Sequence, residues 1–249
     1  MTFSEFLERY IYVRKCVACM ERLGYEQRGE AFCDACRISF EKAKTESCHD
    51  CMAAISDCRC VPKRLADIGV SEHRKLFIYR KSEEYRPENK LVYFLKNHKS
   101  CRVAHFAAEQ LSHRLFELLT TEKISCEDAV IAYIPRSRRA LARYGVDQAE
   151  SVARELGKLS HIECLPLVKR VCDGKASQKK LTLRQRLKNT KGMFGVDQKH
   201  AKLVKGRTVI LYDDVVTTAI SAWGAVSALR GAGFEKIYLF SLAYTSSKK

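Results

Sequence analysis

The sequence predicts an α/β fold: a parallel sheet with helices on both faces, preceded by a small cysteine-rich module. Three observations carry that expectation. Val209-Ile210-Leu211-Tyr212 is a short apolar, β-branched run that reads as a buried parallel strand, and Asp213-Asp214, a hydroxyl-rich loop and a helical pattern from Ser221 follow it. Strand-like and helix-like patterns alternate from Leu76 to Ala243. Eight of the twelve cysteines fall in close pairs between Cys16 and Cys60. The 249 residues suffice for a small module over 1–62 and a larger domain over 63–249.

Residues 1–15 mix Glu5, Glu8, Arg9 and Arg14 with Phe3, Phe6, Leu7, Tyr10 and Ile11. This is an amphipathic helical pattern, not a secretory leader with a long apolar centre, so a cytoplasmic protein without membrane insertion is expected. The pairs Cys16-x-x-Cys19 and Cys33-x-x-Cys36 then form C-x2-C-x13-C-x2-C, a spacing that lets four thiolates hold one tetrahedral Zn2+. Cys48, Cys51, Cys58 and Cys60 make a second, more compressed quartet. The alternative is a disulfide framework, which would need an oxidising compartment that nothing here signals. One or two structural zinc ions are expected, paired sequentially or interleaved, with His49 a bystander. A module of this size with few aliphatics hardly folds without metal. Cys101, Cys126, Cys164 and Cys172 are isolated and expected as buried thiols.

Beyond a boundary near Pro62 to Val70, Leu76 to Tyr79 reads as a strand and Arg80 to Asn89 as a polar stretch. Lys90 to Asn97 is helical, and Arg102 to Leu119 carries Val103, Phe106, Ala107, Leu111, Leu115 and Leu118 on one stripe. Ala129 to Ile134 is a second buried strand. Arg136 to Gln148 reads as a basic loop, with Arg143 either beside the ligand or paired with Glu150. Asp147 and Glu150 form an N-cap and capping box for a helix that turns Ala149, Val152, Ala153, Leu156 and Leu159 inward. Ile162 to Val168 suggests a further strand, and Lys169 to Lys191 is very basic and partly helical. Thr208 to Tyr212, Ala222 to Leu229 (with Trp223 in the core) and Ile237 to Ala243 complete the strand–helix–strand pattern.

The net charge is +16, and between Arg136 and Arg207 there are 19 Lys/Arg against 6 Asp/Glu. That excess suits an anionic partner such as pyrophosphate, a nucleotide or nucleic acid, or else it is a solvated face. Ligands of open α/β sheets sit outside the carboxyl ends of the strands. There, the start of the Ser221 helix offers free N–H groups and a positive dipole to a phosphate. Asp213 and Asp214 suit hydroxyls or a Mg2+ ion instead. Diol or metal on one side and phosphate on the other describe a ribose-5-phosphate.

Val209 to Ser221 resembles the phosphoribosyl-pyrophosphate (PRPP) motif of type I phosphoribosyltransferases, in which two acidic residues precede Thr-Thr-Gly-x-Thr. The chain has Ala219 in place of the glycine and Ser221 in place of the last threonine. Arg143-Tyr-Gly-Val-Asp-Gln148 resembles the Arg-Arg-Gly-Phe-Asn-Gln segment of the ComF family. Gln178, Leu181, Arg186, Asn189 and Phe194 match that family's Gln…Leu…Arg…Asn…Phe block in spacing, and Tyr93-Phe-Leu-Lys96 resembles its early helix. The cysteines resemble its double zinc ribbon, so the resemblance covers nearly the whole chain. Tyr144, Val146 and Asp147 mark a divergent member.

The resemblance implies a type I phosphoribosyltransferase fold in a protein linked to DNA uptake, among relatives often called amidophosphoribosyltransferase-like. It implies that Asp213 and Asp214 face the ribose 2- and 3-hydroxyls, with Mg2+ arriving with PRPP. Thr217, Thr218, Ala219, Ile220 and Ser221 wrap the 5-phosphate. By the same resemblance Arg136, Arg138 and Arg139 would hold the pyrophosphate, and Lys179, Lys180, Arg184 and Arg186 would lie on a lid, an exposed basic face or a nucleic-acid contact. The partners implied are PRPP or a nucleotide-like molecule, single-stranded DNA, and competence proteins such as a DNA-uptake helicase. Three readings stay open: a phosphoribosyltransferase, a non-catalytic scaffold of the uptake machinery, and a direct single-strand DNA binder.

Overall fold

The computed structural model describes residues 13–80, 85–172 and 192–245. Along the chain the elements are α1 (Asp34–Lys44), α2 (Lys63–Ala66), β1 (Val70–Ile78), α3 (Pro87–Asn97), α4 (Cys101–Glu122), β2 (Ala129–Tyr133), α5 (Arg138–Tyr144), α6 (Gln148–Ser160), β3 (Val168–Arg170), β4 (Phe194–Val196), α7 (Gln198–Leu203), β5 (Thr208–Val216), α8 (Ile220–Gly231) and β6 (Ile237–Tyr244). The central sheet has the order β1-β6-β5-β2, and every pairing in it is parallel.

Side-chain alternation explains why that sheet needs two layers of cover. In β2, Ala129, Ile131 and Tyr133 enter one core while Val130 and Ala132 enter the other. In β5, Ile210 and Tyr212 face the first core and Val209 and Leu211 the second. Helices α1, α3, α4 and α6 supply the first with Phe40, Leu91, Phe106, Leu111 and Val152. Helices α2, α7 and α8 and the antiparallel β3–β4 pair close the second with Leu65, Ala201, Val226 and Phe194. Caps fix where the helices begin: Ser100, Ser137, Asp147 and Asp197 each accept a backbone N–H of the helix that follows.

Several expectations change. Residues 136–148 are not one loop: the arginines are strong helix formers, and Ser137 and Gly145 bracket the two-turn α5. Ile162 to Val168 is not a strand throughout. Cys164 makes a single parallel bridge to Ile131, and Val168 then opens β3. β1 begins at Val70 rather than Leu76, because buried His73, Arg74 and Lys75 interrupt its apolar pattern. None of the four isolated cysteines is fully buried: Cys101 and Cys172 are exposed, and Cys126 and Cys164 are half-buried. Trp223 is half-buried against the second core. The amphipathic pattern over residues 1–12, and Lys179, Lys180, Arg184 and Arg186, lie outside the described residues. Among the described residues no helix is long and apolar enough to cross a membrane.

β1 lies at the edge of the sheet, and the segment joining Cys58 to Cys60 covers it. The His73 N–H donates to the Arg59 carbonyl (3.3 Å), and the His73 carbonyl accepts from Lys75 Nζ (3.2 Å). Arg59 and the fully buried Arg74 share the carboxylates of Glu72 and Glu117. Desolvation would raise the Glu117 carboxyl, but Arg114, Arg74 and Arg59 hold it at about 2. A depressed carboxylate stabilises the fold above its unfolded range, and that contribution disappears as pH falls toward the folded value. We expect stability to drop between about pH 4.5 and 2 by on the order of 1 kcal/mol from this group, after allowance for solvent screening at a partly exposed site. Urea titrations across that window should show a smaller acid-dependent loss in Glu117→Gln.

Candidate functional site

The cysteines segregate into two sequential clusters, Cys16/Cys19/Cys33/Cys36 and Cys48/Cys51/Cys58/Cys60, and within each all Sγ atoms lie within 4.8 Å of one another. All twelve cysteines are free thiols. Sulfurs around a tetrahedral Zn2+ at ~2.3 Å stand about 3.8 Å apart, so both sets fit the ion. Cys19 and Cys33 already approach to 3.5 Å. The interleaved pairing and the disulfide framework left open above are not found.

Both clusters begin with the same knuckle. Cys16 N–H donates to Glu21 O and Met20 N–H to Cys16 O; Cys48 N–H donates to Ala53 O and Met52 N–H to Cys48 O. Met20 and Met52 close these turns at φ 65° and 59°. The second halves differ. Cys33 is the N-cap of α1 and Cys36 lies in its first turn, whereas Cys58 and Cys60 flank Arg59 on the extended arm against β1. Burial opposes ionisation of Cys16 and Cys48. Backbone N–H groups of Cys19, Cys33 and Ala18 around the former, and of Asp50 and Cys51 around the latter, outweigh it and bring each thiol to about 7. Thiols so poised give up their protons readily to a metal. Four sulfur ligands per ion leave no position for a substrate, so a metal here holds structure.

The second constellation lies at the carboxyl end of β5. The chain leaves β5 toward β6 on one side, and β2 flanks it on the other; the carboxyl ends of such strands are where open α/β sheets take their ligands. Asp214 is buried there, and its Oδ2 meets Lys96 Nζ at 3.1 Å and Gln148 Nε2 at 3.1 Å. Its Oδ1 accepts the Val215 N–H (2.8 Å). Asp213 is half-buried, and its Oδ1 accepts the Asp214 N–H (3.0 Å). Burial, and then the neighbouring Asp214 charge, push the Asp213 carboxyl well above the usual carboxylate range. The pair is thus unequal: Asp214 has a cation and an amide, while Asp213 has only the Asp214 N–H and resists ionisation.

Beyond the carboxylates, Thr217, Thr218 and Ser221 are exposed, and Ala219 and Ile220 are buried. Ala219 takes the left-handed conformation at φ 57° as the N-cap of α8, a conformation that favours glycine. Trp223 N–H bonds the Ala219 carbonyl, so Ile220, Ser221 and Ala222 begin the helix with N–H groups that have no acceptor in the preceding turn. Arg64 of α2 donates to the Thr218 carbonyl (2.7 Å) and ties the loop down from the other side.

The arginines after β2 divide. Arg136 donates through Nη1 to the carbonyls of Lys96 (2.8 Å) and Val146 (2.9 Å), and its N–H donates to Asp147 Oδ2 (2.7 Å). It therefore locks the end of α3 to the start of α6, the two points from which Lys96 and Gln148 reach Asp214. Arg138 and Arg139 are exposed in the first turn of α5. Arg143 stacks on Tyr144, and Glu150 pairs with Arg154 instead. Lys96 and Gln148 were visible in the sequence only as parts of longer motifs. Their convergence on one carboxylate depends on how α3 and α6 pack. No known family model matches the chain, and no curated protein matches it.

Two outcomes are expected. Elemental analysis should find two zinc ions per chain, with one lost in Cys33→Ser and the other in Cys58→Ser. Ala219→Gly relieves a left-handed alanine and should stabilise the chain by up to about 1 kcal/mol in urea unfolding.

Proposed function

We propose that the chain is a phosphoribosyltransferase-like protein of type I fold that binds PRPP or a related ribose-phosphate with Mg2+. The observation that carries this reading is the sequence of groups along one turn of chain. Two unequal carboxylates lie near the carboxyl end of β5, with Val215 and Val216 after them, and five residues beyond Asp214 a left-handed N-cap presents the first N–H groups of α8. Carboxylate oxygens accept from ribose hydroxyls or hold a divalent cation, and the helix start takes the 5-phosphate. Bound Mg2+ would neutralise charge on a departing pyrophosphate. Arg138 and Arg139, exposed in the first turn of α5, are the residues assigned to pair with it, while Arg136, Lys96 and Gln148 fix the carboxylate frame. The link to DNA uptake rests on the sequence blocks that resemble the ComF family.

Titration calorimetry of PRPP with Mg2+ into the zinc-loaded protein tests the reading. Binding is expected in the parent and lost in the Asp213→Asn/Asp214→Asn double variant. A folded parent that takes up no heat would sink it.

A second reading, single-strand DNA binding, has one observation in its favour. A cavity of about 550 Å³ at the seam between the first cysteine cluster and helices α4 and α6 is lined by Arg14, Arg28, Arg102, His105 and Lys158, with Glu155 the one carboxylate. Phosphate contacts there would make oligonucleotide affinity fall steeply with salt, because binding releases counterions.

A further inference from the structure

β1 contains three consecutive ionisable residues, His73, Arg74 and Lys75, exposed by only 0, 0 and 1%. Two of them have evident partners. Arg74 meets the Glu72 and Glu117 carboxylates, and His73 Nε2 lies 2.8 Å from Ser241 Oγ. Lys75 differs. Among the described residues no carboxylate pairs with it. Its Nζ donates to the carbonyls of Cys60 (2.9 Å), itself a member of the second cysteine cluster, and His73 (3.2 Å). A buried ammonium held by neutral carbonyls and the face of the Tyr244 ring (5.6 Å from its centroid), with no carboxylate opposite it, is costly, since it has left water without an opposing charge.

The second cysteine cluster supplies that charge once it holds a metal. Four thiolates around one divalent ion leave two negative charges in excess. The first cluster has a different surrounding: the N–H groups of Ala18, Cys19 and Cys33 at Cys16, the Tyr85 hydroxyl 3.2 Å from Cys36 Sγ, and the more exposed Arg102, which bonds the Lys15 carbonyl and lies near enough to interact with Cys16. We propose that Lys75 is the counter-charge of the second metal centre, a positioning residue that seats the Cys58–Cys60 arm on β1. The inference rests on that cluster binding a divalent metal. Occupancy of the centre and integrity of β1 then form one equilibrium: the metal gives the ammonium its anion, and the ammonium lowers the energy of the metal–thiolate group.

The test follows zinc release from the full-length, zinc-loaded chain to a chromogenic chelator. Lys75→Met keeps an unbranched apolar stem, one atom shorter, and removes the charge. One of the two zinc ions should leave about 10–100-fold more readily, the scale for partners of metal ligands. The other should leave as in the parent. Cys51→His removes one negative charge from the centre, so in that background the effect of Lys75→Met should shrink; a packing role would leave it unchanged.

Parental release of both ions in Lys75→Met, or an undiminished effect of that substitution in the Cys51→His background, overturns the proposal. Should Lys75→Met fail to fold, the parent gives the answer: hydrogen exchange at the β1 amides of residues 73–75 should accelerate when the second zinc is withdrawn, and unchanged protection overturns it. A second cluster that takes up no zinc at all removes the metal reading itself, a result distinct from either.

Discussion

The pairing of β5 with β6 on one side and β2 on the other places the central strand's backbone in the ladder and both its faces in apolar contact. A parallel sheet held this way has no wet face, so helices must lie on both sides of it. The rest of the molecule follows from that requirement. Helices α3 and α6, brought in to cover one face, carry Lys96 and Gln148 to the end of β5. Helix α8, covering the other face, begins where the strand's loop ends. The carboxylate pair sits where the two layers meet, close enough to the interior that one carboxylate needs a cation and the other stays hard to ionise.

A similar division governs the arginines. Arg136 looked like a ligand-facing residue in a basic stretch, yet three of its hydrogen bonds stay within the protein, and together with Asp147 it fixes the spacing between two helices. Asp147 serves twice, receiving the Arg136 N–H on one oxygen and capping α6 with the other. Positive charge in the sequence therefore separates into a structural part, turned toward carbonyls and carboxylates, and an exposed part on α5.

Much of the fold was legible because its strands and helices obey simple periods. Val130 to Ile134, Val209 to Tyr212 and Ile237 to Ala243 are apolar runs with no competing signal, and the α4 stripe is a regular 3.6-residue pattern. The cysteine quartets were legible because ligand spacing is local, but their pairing was not, since either arrangement satisfies the same spacing. β1 was half hidden: three ionisable residues inside a strand read as surface, and only their partners across the sheet and in the cysteine module make burial tolerable. Helix α5 was hidden by its arginines, which read as loop charge. Asp213 and Asp214 could be found as a pair; their inequality could not, because Lys96 and Gln148 lie far away in sequence.

The arm between Cys58 and Cys60 has a consequence for the molecule as a solute. β1 is the terminal strand of the sheet, and at His73 both its outward N–H and its carbonyl are occupied from within the chain, by the Arg59 carbonyl and the Lys75 ammonium. The arm thus acts as a surrogate neighbouring strand. Terminal strands with unfilled hydrogen bonds are templates onto which a second copy can add. A metal that fixed Cys58 and Cys60 would therefore also keep this edge of the sheet closed to a second copy.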